Sequence, residues 1–419
     1  MDHHTFQGHN RGVPLALQPG MGLPLELWLY IIKSLQRDPF TLVSCALTCR
    51  TFRRPAQRLI NVYQLKCRSI KSTTYDDINE LVGEVSGSSG NGRRIHQLTV
   101  EGASFMPILP AEVAVSVIPL RLSRQLTKLQ EMCINGITNQ LHFNPSTWRL
   151  YGRAFSSVTS LKLNCILFPS FVDFASLITS FSTLSSLSLR EIRCRNHAAP
   201  LSIAKPPSKR VLKLQLLDLG LVRDDEGWFM MMFSAWFFKR CDSVLGSKLT
   251  VDDTVPSHPS GCYFLGRARE YFRILEIKCG IVGPARIDIF RLQDLSLLTQ
   301  KESLLKEIKL LEVRERDIQM VRVILAHLAP NIETLTLAVS PHLSDYGHWA
   351  NLDVVMALLY SSNHIPPSSK IILSPVGLGM NSVMSRYRGG ETNALRSLFP
   401  LVTSLKGDSC IGPKKSKRL

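Results

Sequence analysis

This sequence lacks the local motifs by which catalytic sites usually show themselves. It has no Gly-x-Gly-x-x-Gly turn, and no Gly-x-x-x-x-Gly-Lys-Ser/Thr loop to cradle phosphate. There is no Gly-x-Ser-x-Gly elbow and no His-Glu-x-x-His pair. Cys-x-x-Cys is absent too, so the ten scattered cysteines lack the close ligand pairs that zinc sites require. They are expected to be reduced and to act as small hydrophobes, as in the cytoplasm or nucleus. No run approaches the ~18 apolar residues of a membrane helix. The opening Met1-Asp2-His3-His4-Thr5-Phe6-Gln7 has neither the basic nor the apolar region of a secretory signal. Histidines such as His96, His142 and His327 are isolated. His342 and His348 flank Asp345 in what reads as a polar loop before a 351–360 helix. Asp224-Asp225-Glu226 and Asp252-Asp253 read as solvated turns. No enzyme, metal or cofactor is expected.

What the chain does have is apolar residues in quantity, 45% of 419, enough for two or three domains. Its net charge of +17 permits an acidic partner without demanding one. The basic residues are mostly dispersed, over Arg50–Lys71 and Lys205–Lys213, with one dense cluster at Lys414–Arg418. That tail suits either a solvated end or a nuclear-localisation patch. None of these stretches interleaves aromatic with basic residues as a single-strand binder does, so the expected partner is a protein, with nucleic acid disfavoured but left open and no membrane expected.

Residues 21–65 read as three short helices. Pro24 suits the first helical turn and Glu26 complements its macrodipole. Leu27, Ile31 and Leu35 recur at i, i+4 and i+8, with Leu23 and Ile32 widening the stripe. Asp38-Pro39 closes this helix and opens the next, which carries Leu42, Cys45, Ala46 and Cys49 on one face. Thr51 is a plausible N-cap for a third segment bearing Phe52, Ala56 and Leu59. So small a unit is marginal unless it packs on something else.

The ordered set Leu23-Pro24-x-Glu26-Leu27, Ile31-Ile32, Leu35, Asp38-Pro39, Leu42 and Cys45-Ala-Leu47-Thr-Cys-Arg-Thr-Phe52 resembles the F-box of many fungal proteins. It covers about a tenth of the chain. The resemblance implies docking on the Skp-type adaptor of a cullin–RING ubiquitin ligase through Leu23, Pro24, Leu27, Ile31, Leu35, Leu47 and Phe52. It also implies that the rest of the chain captures a protein substrate. Phe52 stands where many F-boxes carry tryptophan, which keeps the aromatic anchor but removes the indole donor.

After a polar linker at 66–94, short alternating runs recur through residues 95–410. Examples are Ile95–Val100, Leu129–Ile134, Val158–Leu163, Leu184–Leu189, Leu212–Leu216, Phe272–Ile277, Leu305–Leu310, Ile332–Leu337, Lys370–Leu373 and, weakly, Val402–Leu405. The alternation predicts half-buried strands. Helical spacing separates several of them, as in Phe171/Phe174/Leu177/Ile178/Phe181, Ile318–Leu328 and Leu352–Leu359. Strand–helix units at a period of about 25–35 residues predict an α/β, irregular leucine-rich-repeat-like solenoid. A doubly wound sheet would ask for uniformly apolar strands. Residues 224–269 read as an insertion whose Trp228–Phe238 helix is apolar all round, and 252–261 as a surface loop within it. A helix buried among its neighbours explains the apolar run more simply than an exposed sticky face. Lys162, Ser188, Gln215 and Lys309 are candidates to line a target-binding face. Together these features predict a tail (1–20), an F-box (21–65), a linker, a substrate-binding repeat domain and a basic tail (411–419). The competing expectation is a repeat scaffold, or a nucleic-acid-associated protein, whose first helices merely cap the solenoid.

Overall fold

The computed structural model describes residues 24–35, 38–48, 50–71, 75–86, 91–102, 111–137, 145–196, 212–220, 228–240, 246–256, 259–279, 303–313, 321, 324–325, 328, 332–339, 370–375 and 411–413. Two compact units divide the chain, Met1–Cys67 and Arg68–Leu419. Several expected features lie outside the described residues. Among them are Leu23, the Asp345 loop, the 351–360 helix, the run at Val402 and the Lys414–Arg418 cluster.

The first unit contains α1 (Leu25–Ser34), α2 (Pro39–Thr48) and α3 (Arg50–Lys66). Pro24 stands at the N-cap of α1 and its carbonyl accepts from Leu27 and Trp28 N–H at 3.1 and 3.3 Å. Asp38 caps α2. Its carboxylate takes the Thr41 N–H at 3.0 Å and the Thr41 hydroxyl at 2.6 Å, with Pro39 where the helix needs no donor. Thr51, expected to cap the third helix, lies inside α3 instead. The core is Ile32, Leu42, Phe52, Ala56 and Ile60, with Trp28, Leu35, Cys45, Ala46 and Leu59 packed against it.

The second unit is a sheet of twelve strands among the described residues, in chain order. It runs β1 (Cys67–Lys71), β2 (Gln97–Glu101), β3 (Glu131–Ile137), β4 (Ser160–Ser170), β5 (Ser186–Asn196) and β6 (Leu216–Gly220). Then follow β7 (Gly246–Asp252), β8 (Phe272–Lys278), β9 (Glu307–Val313), β10 (Thr334–Val339), β11 (Lys370–Pro375) and β12 (Ile411–Pro413). Every pairing from β2 onward is parallel. Register partners recur every 26 residues (Ser160 to Ser186) to 40 residues (Ile371 to Ile411). Between strands lie α4 (Tyr75–Ser86), α5 (Ala111–Leu122), α6 (Pro145–Ala154), α7 (Phe171–Ser180), α8 (Trp228–Phe237) and α9 (Pro259–Ala268). This is the leucine-rich-repeat-like α/β arrangement of strand–helix units.

One core runs the length of the repeats. Leu98, Met132, Leu161, Leu187, Leu217, Leu249, Leu275, Ile308 and Leu335 form one registered buried row. Val100, Ile134, Leu163, Leu189, Leu219, Val251, Ile277, Leu310 and Leu337 form a second. A third row depends on a backbone irregularity. Gly136, Cys165, Glu191 and Glu312 have positive φ of 68, 53, 50 and 58°, and the first three stand in register. Each left-handed residue puts two successive positions off the core, after which Ile137, Ile166, Ile192 and Val313 turn back into it. Adopting this conformation without glycine costs about 1–2 kcal/mol per residue, which the registered neighbours must offset.

Three sequence-level boundaries change. The 66–94 linker holds β1, α4 and a 3-10 turn at Asn91–Arg94, because Ile78, Leu81 and Val85 share one helical face and bury it in the core. The 224–269 insertion is not an insertion. Its helix α8, strand β7 and helix α9 form ordinary repeats, and β7 pairs with β6 and β8. Asp252 and Asp253 are buried, at 3% exposure each, and not solvated. The Asp252 carboxylate accepts from both the backbone N–H and the hydroxyl of Thr254, while the Asp253 N–H donates to the Lys278 carbonyl at 3.0 Å. Finally, Ile411–Pro413, expected in the tail, pairs with β11.

The centre of the core is aromatic. On α8, Phe229, Met230, Met232, Phe233, Trp236 and Phe237 are buried, and Met231 is exposed. Phe174 on α7 meets Phe229 edge-on at 5.2 Å, and Phe264 of α9 lies 5.7 Å from Phe233. Ser170 caps α7: the Asp173 N–H donates to its hydroxyl at 3.3 Å, and that hydroxyl donates to the Asp173 carboxylate at 2.6 Å. Burial raises the Asp173 carboxyl above its ordinary range, against the lowering effect of the Ser170 bonds. A raised folded-state pKa favours the folded chain while the group is protonated, and that advantage is lost as pH rises through it. Asp173→Asn should therefore gain stability relative to the parent at pH 7, and gain less or lose at pH 4. Urea unfolding at the two pH values measures the difference. A gain larger at pH 4 would contradict the assigned cause.

Candidate functional site

The first unit exposes apolar side chains that its own core does not use. Leu27, Leu29 and Tyr30 on α1 are 48, 39 and 70% exposed, and Val43 and Leu47 on α2 are 44 and 81% exposed. Helix α1 is apolar most of the way round. Trp28, Ile32 and Leu35 turn toward α3, and Leu27 and Tyr30 face outward. Of the residues expected to contact an adaptor, Pro24, Leu27 and Leu47 are exposed, and Ile31 and Leu35 are half-buried. Phe52 is 7% exposed and packs on Trp28 with ring centroids 5.2 Å apart. It therefore works from inside the unit. Tyr30 was not singled out from the sequence, although its place among Leu27 and Ile31 on an all-apolar helix was the available signal.

The second unit offers the sheet face that the core leaves open. Register lines up Thr99, Cys133, Lys162, Ser188, Asp218, Thr250, Glu276, Lys309 and Thr336 on it, with Thr250 and Thr336 buried between their neighbours. Lys162, Ser188 and Lys309 thus fall in one row, and Gln215 lies just before β6. Most charges here are already matched across neighbouring strands. Lys162 pairs with Glu131 at 2.6 Å, Arg190 with Asp218 at 3.5 Å and Lys248 with Glu276 at 2.8 Å, while Lys309 pairs within its own strand with Glu307 at 3.3 Å. Such part-exposed pairs contribute about 0–1 kcal/mol each and mainly keep the face neutral.

Among the described residues no group of three His, Cys, Asp or Glu could hold a metal. Burial pushes the Cys133 thiol up, only partly countered by Lys162, so it stays protonated and a poor nucleophile. No described helix is long and apolar enough to cross a membrane.

No family model and no curated protein matches the chain. Among solved structures it is similar to the leucine-rich repeat-containing protein LegL7 from Legionella pneumophila. The two are 14% identical over 70% of this chain and 98% of that one, with a TM-score of 0.33. It is also similar to the Rad7 and Elc1 complex from yeast, at 11% identity over 76% of this chain and 84% of that one, with a TM-score of 0.25. The repeat architecture rests on the registered parallel sheet, not on these likenesses.

Proposed function

We propose that this chain is a non-catalytic substrate-recognition subunit of an SCF-type, cullin–RING ubiquitin ligase, working in the cytoplasm or nucleus. Its first unit would be a fungal-type F-box that binds a Skp-type adaptor, and its repeats would hold a target protein for ubiquitin transfer. The observation that carries this reading is the exposed apolar set on α1 and α2. A unit of three helices with a ten-residue core still leaves Tyr30 and Leu47 mostly in water. Such exposure is costly unless a partner covers it. The ordered likeness of Leu23 to Phe52 to the F-box names that partner. Pro24, Leu27, Ile31 and Leu47 would touch the adaptor, with Leu23 ahead of them, while Leu35 and Phe52 hold α1 on α3. The subunit then supplies proximity between ligase and target and makes no bond itself.

Co-expression of the full chain with a Skp-type adaptor, followed by size-exclusion chromatography, tests this. The two should elute together in equal amounts. Separate elution of a folded chain and a folded adaptor would sink the reading.

A further inference from the structure

Among the described residues of the second unit, a row of exposed basic side chains runs along one edge. All strands from β2 onward are parallel, so the helix-to-strand connections line up where the strands begin. Exposed basic residues stand there in repeat after repeat: Arg124 and Lys128 before β3, Arg153 before β4, Lys213 before β6, Lys239 before β7 and Arg273 at the start of β8. None of these six takes part in an ion pair among the described residues. On the same edge Glu333, an exposed carboxylate, is already held by Lys306 at 3.0 Å, and Glu270 is buried. The open face beside this edge is neutralised by its own pairs, and the edge is not.

Helix termini explain only part of this. Arg153 lies in the last turn of α6 and Lys239 just past α8, where a cation complements the macrodipole. Lys128 and Lys213 stand three residues before β3 and β6, and Arg273 is the second residue of β8, so no described helix end accounts for them.

We infer that this edge binds an acidic, extended segment of the target protein. The inference deepens the receptor reading above by giving its target a chemistry. From β3 to β8, where these residues stand, there are five inter-strand steps of about 4.8 Å, or ~24 Å, the length of about seven extended residues. Next to the basic residues run Gln130, Thr159, Ser185 and Gln215, whose backbones are linked strand to strand; the Thr159 and Ser185 hydroxyls donate to the Gln130 and Thr159 carbonyls and keep their oxygens as acceptors. A nucleic acid is the poorer fit. Single strands are held by stacking on exposed aromatic rings, and no aromatic side chain of this unit is exposed among the described residues.

The test uses the full chain without adaptor and a labelled twelve-residue Glu/Ser peptide, read by fluorescence anisotropy. A Gln/Ser peptide and a single-stranded twelve-nucleotide DNA run beside it. The edge variant is Lys128→Gln, Lys213→Gln, Lys239→Gln and Arg273→Gln together. A control removes the same charge elsewhere, by Arg50→Gln, Arg53→Gln, Arg54→Gln and Arg58→Gln on the exposed side of α3. The edge variant should weaken the Glu/Ser peptide about tenfold and the control less than about twofold. The Gln/Ser peptide should not bind measurably, and the DNA should bind more weakly than the Glu/Ser peptide at the same salt. Equal losses in the two variants, an unaffected edge variant, or tighter binding of the DNA would each overturn the inference. Adaptor co-elution is a separate readout, so either conclusion can fail while the other stands.

Discussion

Phe233→Ala should lower the stability of the second unit by about 3–5 kcal/mol, the usual cost of emptying a phenylalanine site in a packed core. Phe233 is fully buried. Its ring lies 5.2 Å from Phe237, 5.7 Å from Phe264, 6.0 Å from Phe229 and 6.1 Å from both Phe174 and Trp236. These neighbours belong to α7, α8 and α9, so the cavity would open where three helices meet and few atoms could relax into it. The measurement is urea unfolding of the parent, Phe233→Ala and Met231→Ala. Met231 sits two residues away on the same helix but is 51% exposed, and its truncation should change stability by less than ~0.5 kcal/mol. Comparable losses in the two variants would mean that α8 is not buried on the face described.

Leu27→Lys combined with Leu47→Lys should reduce adaptor affinity more than about a hundredfold, ~3 kcal/mol, as expected when two apolar anchors of one interface become charged. The folded state of the first unit should hardly notice. Leu47 is 81% and Leu27 48% exposed, so a change under ~0.5 kcal/mol is expected in unfolding. Ile32→Asp provides the contrast. Ile32 is 1% exposed, and a carboxylate there should unfold the unit and abolish adaptor capture together. The decisive outcome is therefore loss of capture by a chain that still melts normally. Full capture by the double variant would remove the F-box reading of this surface, whatever the fold of the repeats.

Much of the repeat domain is legible because its signal is local. In Val158-x-x-Leu161-x-Leu163-x-x-Ile166, every apolar residue is buried. The same spacing recurs in Leu184/Leu187/Leu189/Ile192 and Leu305/Ile308/Leu310/Val313. Simple alternation found the middle of each run and missed its end, because period two breaks at the left-handed residue. Strand β7 was hidden for a different reason. Leu249 and Val251 alone are too short a run to outweigh the acidic pair that follows, and only the neighbours β6 and β8, with Thr254, make a buried Asp252 tolerable.

The candidate adaptor surface divides in the same way. The sequence by itself determined that residues 24–60 form apolar helices with Asp38-Pro39 between the first two, since capping and helical spacing act over a few residues. It also determined that most strands carry one buried and one open face, because side chains alternate along any extended backbone. Only the tertiary structure decided which apolar residues are spent inside. Leu27, Trp28, Ile31, Ile32 and Phe52 are chemically equivalent choices for a core. Packing on α3 takes Trp28, Ile32 and Phe52 and leaves Leu27 and Tyr30 facing out. The basic edge is likewise a tertiary product, since Lys128, Lys213 and Arg273 lie 60 or more residues apart in sequence and meet only because parallel register stacks the starts of the strands.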